Sequence, residues 1–156
     1  MKKPSKQKQA VELTRDQFLA LLKAVYLGNW MANAYRTEGM KKEYEGIADY
    51  IFSLTPQFGL EKYMDHEESD GERYFPTNEF EEHTDVHILH EAYDEETFWD
   101  EMAERLGERD FFERYTKEEL KKMNKDEGFT LLNRCIDNYN EEFEKFGIER
   151  IRLEKK

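Results

Sequence analysis

Cysteine is nearly absent from this 156-residue chain, whose single thiol is that of Cys135. One cysteine cannot form an intramolecular disulfide, a CxxC redox pair or a cysteine-rich metal site. We therefore expect a reducing compartment, the cytoplasm. The lack of disulfides does not prevent folding, because a chain of this length can bury roughly 70% of the surface that it exposes when unfolded.

Long hydrophobic runs are also absent. The most apolar window, residues 18–35, is interrupted by Lys23, Gly28, Asn29 and Asn33, whereas a membrane span needs about 20 mostly apolar residues. The N-terminus is basic, but no apolar signal-peptide core follows it. The sequence therefore predicts a protein that does not interact with a membrane.

Basic residues are scarce in the centre of the chain. Residues 61–104 contain 2 Lys or Arg and 17 Asp or Glu, a net charge of −15 in a chain whose total is −12. Residues 1–9 hold four lysines and no acid, which is typical of a flexible terminus. Nucleic-acid binding by the body of the protein is disfavoured, because phosphate contacts require a basic surface.

The sustained alternation of apolar and polar residues that marks a sheet is missing. Apolar residues instead recur with the helical period, which predicts helices over 15–36, 41–54, 77–93, 94–107 and 126–146, with shorter helices near 111–112 and from 116. Capping boxes are predicted at Thr14 and Thr116. Residues 57–76 are expected to be irregular, and residues 148–153 to form a short strand or an ordered tail.

These patterns predict an all-α fold: a single compact domain of about five to seven helices over residues 11–156, preceded by a flexible basic tail over residues 1–10. The first helix is apolar on nearly every side, which is typical of a helix at the centre of a domain. The last helix ends at Gly147 and carries Cys135 in its apolar stripe, where a thiol is expected to belong to the core.

Three of the four histidines are spaced as a metal site on a helix would require. On one continuous helix, His87 lies about 40° from His83, and His90 lies about 20° to the other side of His83. Glu79 and Asp94 could add oxygen ligands, which predicts a site for zinc or another divalent transition metal. The alternative interpretation is half-exposed histidines paired with nearby carboxylates, because the HExxH and ExxH spacings are missing.

Motifs for catalysis are absent as well. The chain has no glycine-rich phosphate loop, nucleophile elbow or kinase signature, which favours a non-enzymatic protein. We interpret it as an interaction module whose acidic residues 61–104 dock a basic partner protein, with some of its 22 aromatic side chains as anchors. Two alternatives are a metal-binding helical protein, with or without metal-dependent catalysis, and an acidic mimic of nucleic acid.

Overall fold

The computed structural model of the protein describes residues 9–67 and 73–152. Within these ranges it contains six α-helices and a two-stranded sheet, in the order α1 Arg15–Asn33, α2 Lys42–Phe52, β1 Met64–Glu67, β2 Arg73–Pro76, α3 Asn78–His83, α4 Val86–Arg114, α5 Lys117–Lys122 and α6 Lys125–Phe146. The prediction of a mostly α-helical fold is confirmed. Most of the predicted tail, residues 1–8, lies outside the described residues.

The chain divides into two compact units, Met1–His90 and Glu91–Lys156. The single domain predicted for residues 11–156 stays a prediction. In the first unit, helices α1, α2 and α3 share a core with the hairpin and the chain that leads into it: Phe18, Leu22, Ala48, Ile51, Phe52, Leu60, Tyr63, Met64, Phe80 and Val86. No helix within residues 9–67 and 73–152 is long and apolar enough to cross a membrane.

Helix α1 begins at the predicted capping box. The Thr14 side chain accepts a hydrogen bond from the Gln17 N–H at 3.3 Å, and the Gln17 side chain accepts one from the Thr14 N–H at 2.9 Å. Phe18 and Leu22 are fully buried, whereas Met31 is 53% exposed. The prediction that α1 is buried at the centre is therefore wrong, because the core covers one side of the helix and leaves its other apolar residues half-buried or exposed.

Residues 57–76, predicted to be irregular, contain regular structure. Short 3₁₀ helices at Thr55–Phe58 and Glu61–Tyr63 lead into an antiparallel hairpin, in which Met64 pairs with Pro76 and Glu67 with Arg73. Each strand has four residues, and Met64 is the one buried residue of β1. Strands this short and this exposed show no clear alternation in the sequence, which is why the prediction failed here.

The helix predicted over residues 77–93 is broken in two. Thr84 is extended, with φ −120° and ψ 169°, and its hydroxyl donates to the Phe80 carbonyl at 2.6 Å. Val86 is fully buried in the core of the first unit. The break therefore lets the chain turn Val86 inward, a tertiary effect that helical periodicity does not register.

Helix α4 is continuous where the sequence predicts two ends. It passes through the predicted N-cap at Asp94, through the predicted end at Gly107 and through the predicted short helix at residues 111–112. A Cβ atom at Gly107 would lie 2.7 Å from Ile136 Cγ1 and 2.8 Å from Ile136 Cα. The glycine therefore marks a close approach between α4 and α6 and not a helix end.

The last two helices follow the sequence more closely. The capping box of Thr116 and Glu119 is formed, and α6 ends at Gly147, whose φ is 52°. The buried residues of the second unit include Ala103, Phe111, Cys135 and Phe143. The predicted C-terminal strand is absent from the part of residues 148–153 that the structure describes, because residues 148–150 form a turn.

Candidate functional site

The helix break separates the histidines of the predicted metal site. His83 ends α3, and its Nδ1 lies 3.1 Å from the backbone oxygen of Glu79. His87 lies at the start of α4, and its Nδ1 lies 3.1 Å from the backbone oxygen of Glu81. The continuous helical face that these two residues were expected to share with His90 is therefore not formed.

The other residues of the predicted site have contacts of their own. The His90 and Trp30 ring centroids lie 3.7 Å apart. A hydrogen bond from Lys62 lowers the pKa of Glu79 and raises the pKa of Lys62. Asp94 lies four positions after His90 on the continuous helix α4. Across the described residues, no three His, Cys, Asp or Glu side chains are grouped so that they could hold a metal ion, and metal binding stays a prediction.

Two polar contacts from α1 hold the junction between α3 and α4. Lys23 Nζ lies 2.8 Å from Asp85 Oδ1, and this hydrogen bond lowers the pKa of Asp85. The Tyr26 hydroxyl donates to Glu81 at 3.0 Å. Burial raises the pKa of Tyr26 to about 12, and the hydrogen bond and the charge of Glu81 contribute in the same direction. These two acids therefore serve the fold of the first unit.

The acids of α4 are arranged differently. Residues 74–104 contain 11 Asp or Glu and no Lys or Arg. Seven of these acids lie in what we call the α4 acidic segment, Glu91–Glu104, within the second unit. All seven are exposed: Glu91, Asp94, Glu95, Glu96, Asp100, Glu101 and Glu104. Residues 91–96 are exposed without interruption, so this part of the helix presents carboxylates on several sides.

A shallow, open apolar depression lies along one face of the same part of α4, and the residues that line it all belong to this helix. We call it the α4 groove. It has a volume of about 570 Å³ and is lined by Asp94, Thr97, Phe98, Glu101, Met102, Arg105 and Leu106. Phe98 is 45% exposed, and its ring packs edge-on against Trp99 with centroids 4.9 Å apart. Met102 and Leu106 are half-buried. The groove therefore combines an accessible aromatic ring with a floor of aliphatic side chains.

The N-terminal end of the α4 groove is more acidic than its C-terminal end. Asp94 lines the N-terminal end, and Glu91 and Glu95 are exposed beside it on the helix. Arg105 lines the C-terminal end, where its guanidinium lies 2.7 Å from the Glu101 carboxylate. A ligand with a basic end therefore has a preferred direction in this groove.

The first unit contains a polar cavity of about 300 Å³ that was not predicted from the sequence. It is lined by residues of α1, α2 and the hairpin: Asn29, Glu45, Ala48, Asp49, Phe52, Glu67, Arg73, Tyr74 and Phe75. The Asp49 carboxylate accepts a hydrogen bond from the Tyr74 N–H at 3.4 Å, and Arg73 lies 3.9 Å from Glu45. Arg73 and Glu45 thus form an ion pair in this cavity, and Asp49 is hydrogen-bonded to the backbone of β2. No sequence pattern indicated the cavity, because β2 lies within residues 57–76, which were predicted to be irregular.

A hydrogen-bonded cluster joins α4 to α6 in the second unit. The Tyr139 hydroxyl donates to Asp110 at 2.6 Å and accepts from Arg109 at 2.9 Å. Hydrogen bonds from Tyr139 and Arg109 lower the pKa of Asp110. A cavity of about 250 Å³ beside this cluster is lined in part by Cys135. Cys135 is 4% exposed, which confirms that the thiol belongs to the core.

Comparison of the chain with protein-family models, with curated proteins and with solved structures finds no match. Function must therefore be inferred from the chemistry of the chain itself. Two exposed features offer groups that a ligand could bind: the carboxylates of the α4 acidic segment and the apolar side chains of the α4 groove.

Proposed function

We propose that this protein is a non-enzymatic interaction module that docks a basic partner protein through the α4 acidic segment. The observation that carries this proposal is the exposure of seven carboxylates over Glu91–Glu104 with no Lys or Arg among them. Charge complementarity raises the association rate and selects the partner. Tyr93 and Phe98 are 49% and 45% exposed, and aromatic side chains are common anchors at interfaces.

Repulsion among the carboxylates of the α4 acidic segment lowers the stability of the protein when no partner is bound. A segment that costs stability in this way is expected to have a role in binding. Glu91 and Glu95, Glu96 and Asp100, and Asp100 and Glu104 are each separated by four positions. Like charges at this spacing destabilise a helix by about 0.2–0.5 kcal/mol per pair. A basic partner surface would replace these repulsions with attractions.

The same features argue for a protein partner in the cytoplasm. A chain with a net charge of −12 is unsuited to phosphate contacts. Because the acids of α4 lie on several sides of the helix, they do not imitate a regular row of phosphates, and the nucleic-acid mimic receives no support. The free thiol of Cys135 suits a reducing compartment.

The test compares two triple variants with the same change of charge. The first neutralises the α4 acidic segment with Glu95→Gln, Glu96→Gln and Asp100→Asn. The matched control neutralises three exposed acids of α6 with Asp126→Asn, Asp137→Asn and Glu141→Gln. The parent and both variants are immobilised in equal amounts, and the proteins that each captures from a cytoplasmic extract are quantified at low and at high salt.

We expect basic proteins that are captured by the parent and the α6 variant and lost from the α4 variant. Their capture should fall by roughly tenfold or more from low to high salt, because salt screens exposed charges. An identical loss of captured proteins from both variants would show a general effect of net charge. Equal capture at low and at high salt would contradict docking through the α4 acidic segment.

A further inference from the structure

We infer that the α4 groove binds an amphipathic helix of the basic partner, with apolar side chains seated on Phe98, Met102 and Leu106 and with Lys or Arg beside the surrounding acids. This inference rests on the proposed function and adds the binding site and the form of the ligand. The site lies wholly within the second unit.

The dimensions of the α4 groove suit a helix of about three turns. The groove extends from Asp94 to Leu106, which corresponds to about 18 Å at 1.5 Å per residue. Phe98, Met102 and Leu106 recur every four positions and so form a continuous apolar row along α4. A partner helix with apolar residues three and four positions apart presents the matching row, so the two helices can pack side by side.

Phe98 has the properties of an anchor. Its ring is 45% exposed, and its edge-on packing against Trp99 restricts the orientations that it adopts. A restrained aromatic side chain loses little conformational entropy when a partner covers it. Phe98 should contribute more to binding than an equally exposed aromatic residue outside the groove, because Met102 and Leu106 extend its apolar row.

The charges of the α4 groove select both the partner and its direction. Glu91 and Asp94 favour a basic end at one side, while at the other side the charges of Arg105 and Glu101 offset each other. Basic residues are most favourable in the last turn of a helix, because of the helix dipole. The partner helix should therefore run antiparallel to α4. A second copy of this chain is a poor occupant, because two chains of charge −12 repel each other.

The probe for this inference is a random peptide library displayed on phage and selected against the full chain. The variant is Phe98→Ala. Its matched control is Phe112→Ala, because Phe112 lies on the same helix outside the groove, is 61% exposed and also packs edge-on against its neighbour in sequence. Affinities of the enriched peptides are then measured for the parent and for both variants.

We expect enriched peptides with apolar residues three or four positions apart and with Lys or Arg towards the C-terminus. Phe98→Ala should weaken their binding by roughly tenfold or more, as loss of a central aromatic anchor does, and Phe112→Ala should leave it within about twofold. The inference is overturned if nothing is enriched, if the enriched peptides lack this pattern, or if both variants lose affinity equally.

Two further outcomes also overturn the inference. Self-association of the parent that is abolished by Phe98→Ala and kept by Phe112→Ala would identify a second copy as the occupant. Insensitivity of the peptides to Phe98→Ala, together with loss of captured proteins from the α4 triple variant, would reject the groove and leave the proposed function standing. If the triple variant also retains its partners, the proposed function fails as well.

Discussion

At the scale of single residues, Tyr26 shows how a local contact sets a pH dependence. Its hydroxyl is partly buried and donates to Glu81 at 3.0 Å, and its pKa is raised to about 12, first by burial and then by Glu81. An unfolded tyrosine ionises near pH ~10. Between these values the unfolded chain releases a proton that the folded chain retains, so the free energy of unfolding falls as the pH rises through this range.

We expect Tyr26→Phe to remove this alkaline loss of stability, because the variant has no hydroxyl to ionise. The measurement is denaturant unfolding at a series of pH values above neutrality, together with an absorbance titration of tyrosine ionisation. Tyr50→Phe is the control, because Tyr50 is 60% exposed. If Tyr26→Phe and the parent lose stability in parallel between about pH 10 and 12, burial and the contact with Glu81 do not raise the pKa of Tyr26.

Tyr139 stabilises the ionised form of a neighbouring acid, Asp110. Its hydrogen bond and that of Arg109 lower the pKa of Asp110, so the stability they contribute is present above the ordinary carboxyl pKa and is lost as the pH falls through the lowered value. Tyr139→Phe should raise the pKa of Asp110, measured by NMR titration of its carboxyl carbon. It should also reduce the free energy of unfolding at neutral pH by about 1 kcal/mol. Tyr93→Phe, at an exposed residue of the same helix as Asp110, should do neither.

At the scale of the elements, the sequence predicted what depends on neighbours along the chain. The capping boxes at Thr14 and Thr116 were predicted correctly, because both partners lie within four residues. The ends placed at Asp94 and Gly107 were wrong, because each was judged by residue type alone. Gly107 is needed because Ile136 of α6 lies too close to leave room for a side chain. This contact depends on the packing of two helices, and no pattern within α4 reveals it.

The close approach at Gly107 leads to a prediction about stability. Gly107→Ala should reduce the free energy of unfolding by about 1–3 kcal/mol, because the new methyl group would meet the backbone of Ile136. The control is Gly46→Ala in α2, where no atom lies within 4 Å of a Cβ. That substitution should raise the free energy of unfolding by up to ~1 kcal/mol, because alanine favours a helix. Equal changes in denaturant unfolding would contradict the packing assigned to Gly107.

At the scale of the whole molecule, the excess of acids over residues 61–104 was visible in the sequence. The sequence did not show which of these acids form contacts within the fold and which remain exposed. Some acids are used within the first unit, as in the contact of Asp85 with Lys23. Others surround an exposed length of helix. The histidine face was predicted from a continuous helix that burial of Val86 interrupts. The number of charges follows from the composition. Whether His83, His87 and His90 meet in one site depends on where the chain turns, which the composition does not determine.

Charge repulsion along α4 predicts that a substitution which relieves it will raise the stability of the protein and weaken the binding of its partner. Asp100→Lys would place a cation four positions from both Glu96 and Glu104. Thermal unfolding should show an increase in stability of about 0.8–2 kcal/mol, because two repulsions become attractions. Asp137→Lys in α6 is the control, because its charged neighbours at three and four positions are Arg134 and Glu141, whose effects offset each other.

The same two variants should differ in partner capture. Asp100→Lys is expected to lose the basic proteins that the parent retains, whereas Asp137→Lys should keep them. A variant that gains stability and keeps its partners would show that the α4 acidic segment is not the docking surface. Selection for binding would then not explain why these repulsions persist.

The single buried thiol allows the local opening of the second unit to be followed chemically. Cys135 is 4% exposed, so a thiol reagent reaches it when the surrounding helices separate, and the labelling rate reports the free energy of that opening. The two tryptophans provide the complementary optical signals, because Trp30 lies in the first unit and Trp99 in the second. With one tryptophan replaced at a time, labelling and fluorescence together measure the opening of each unit on its own timescale.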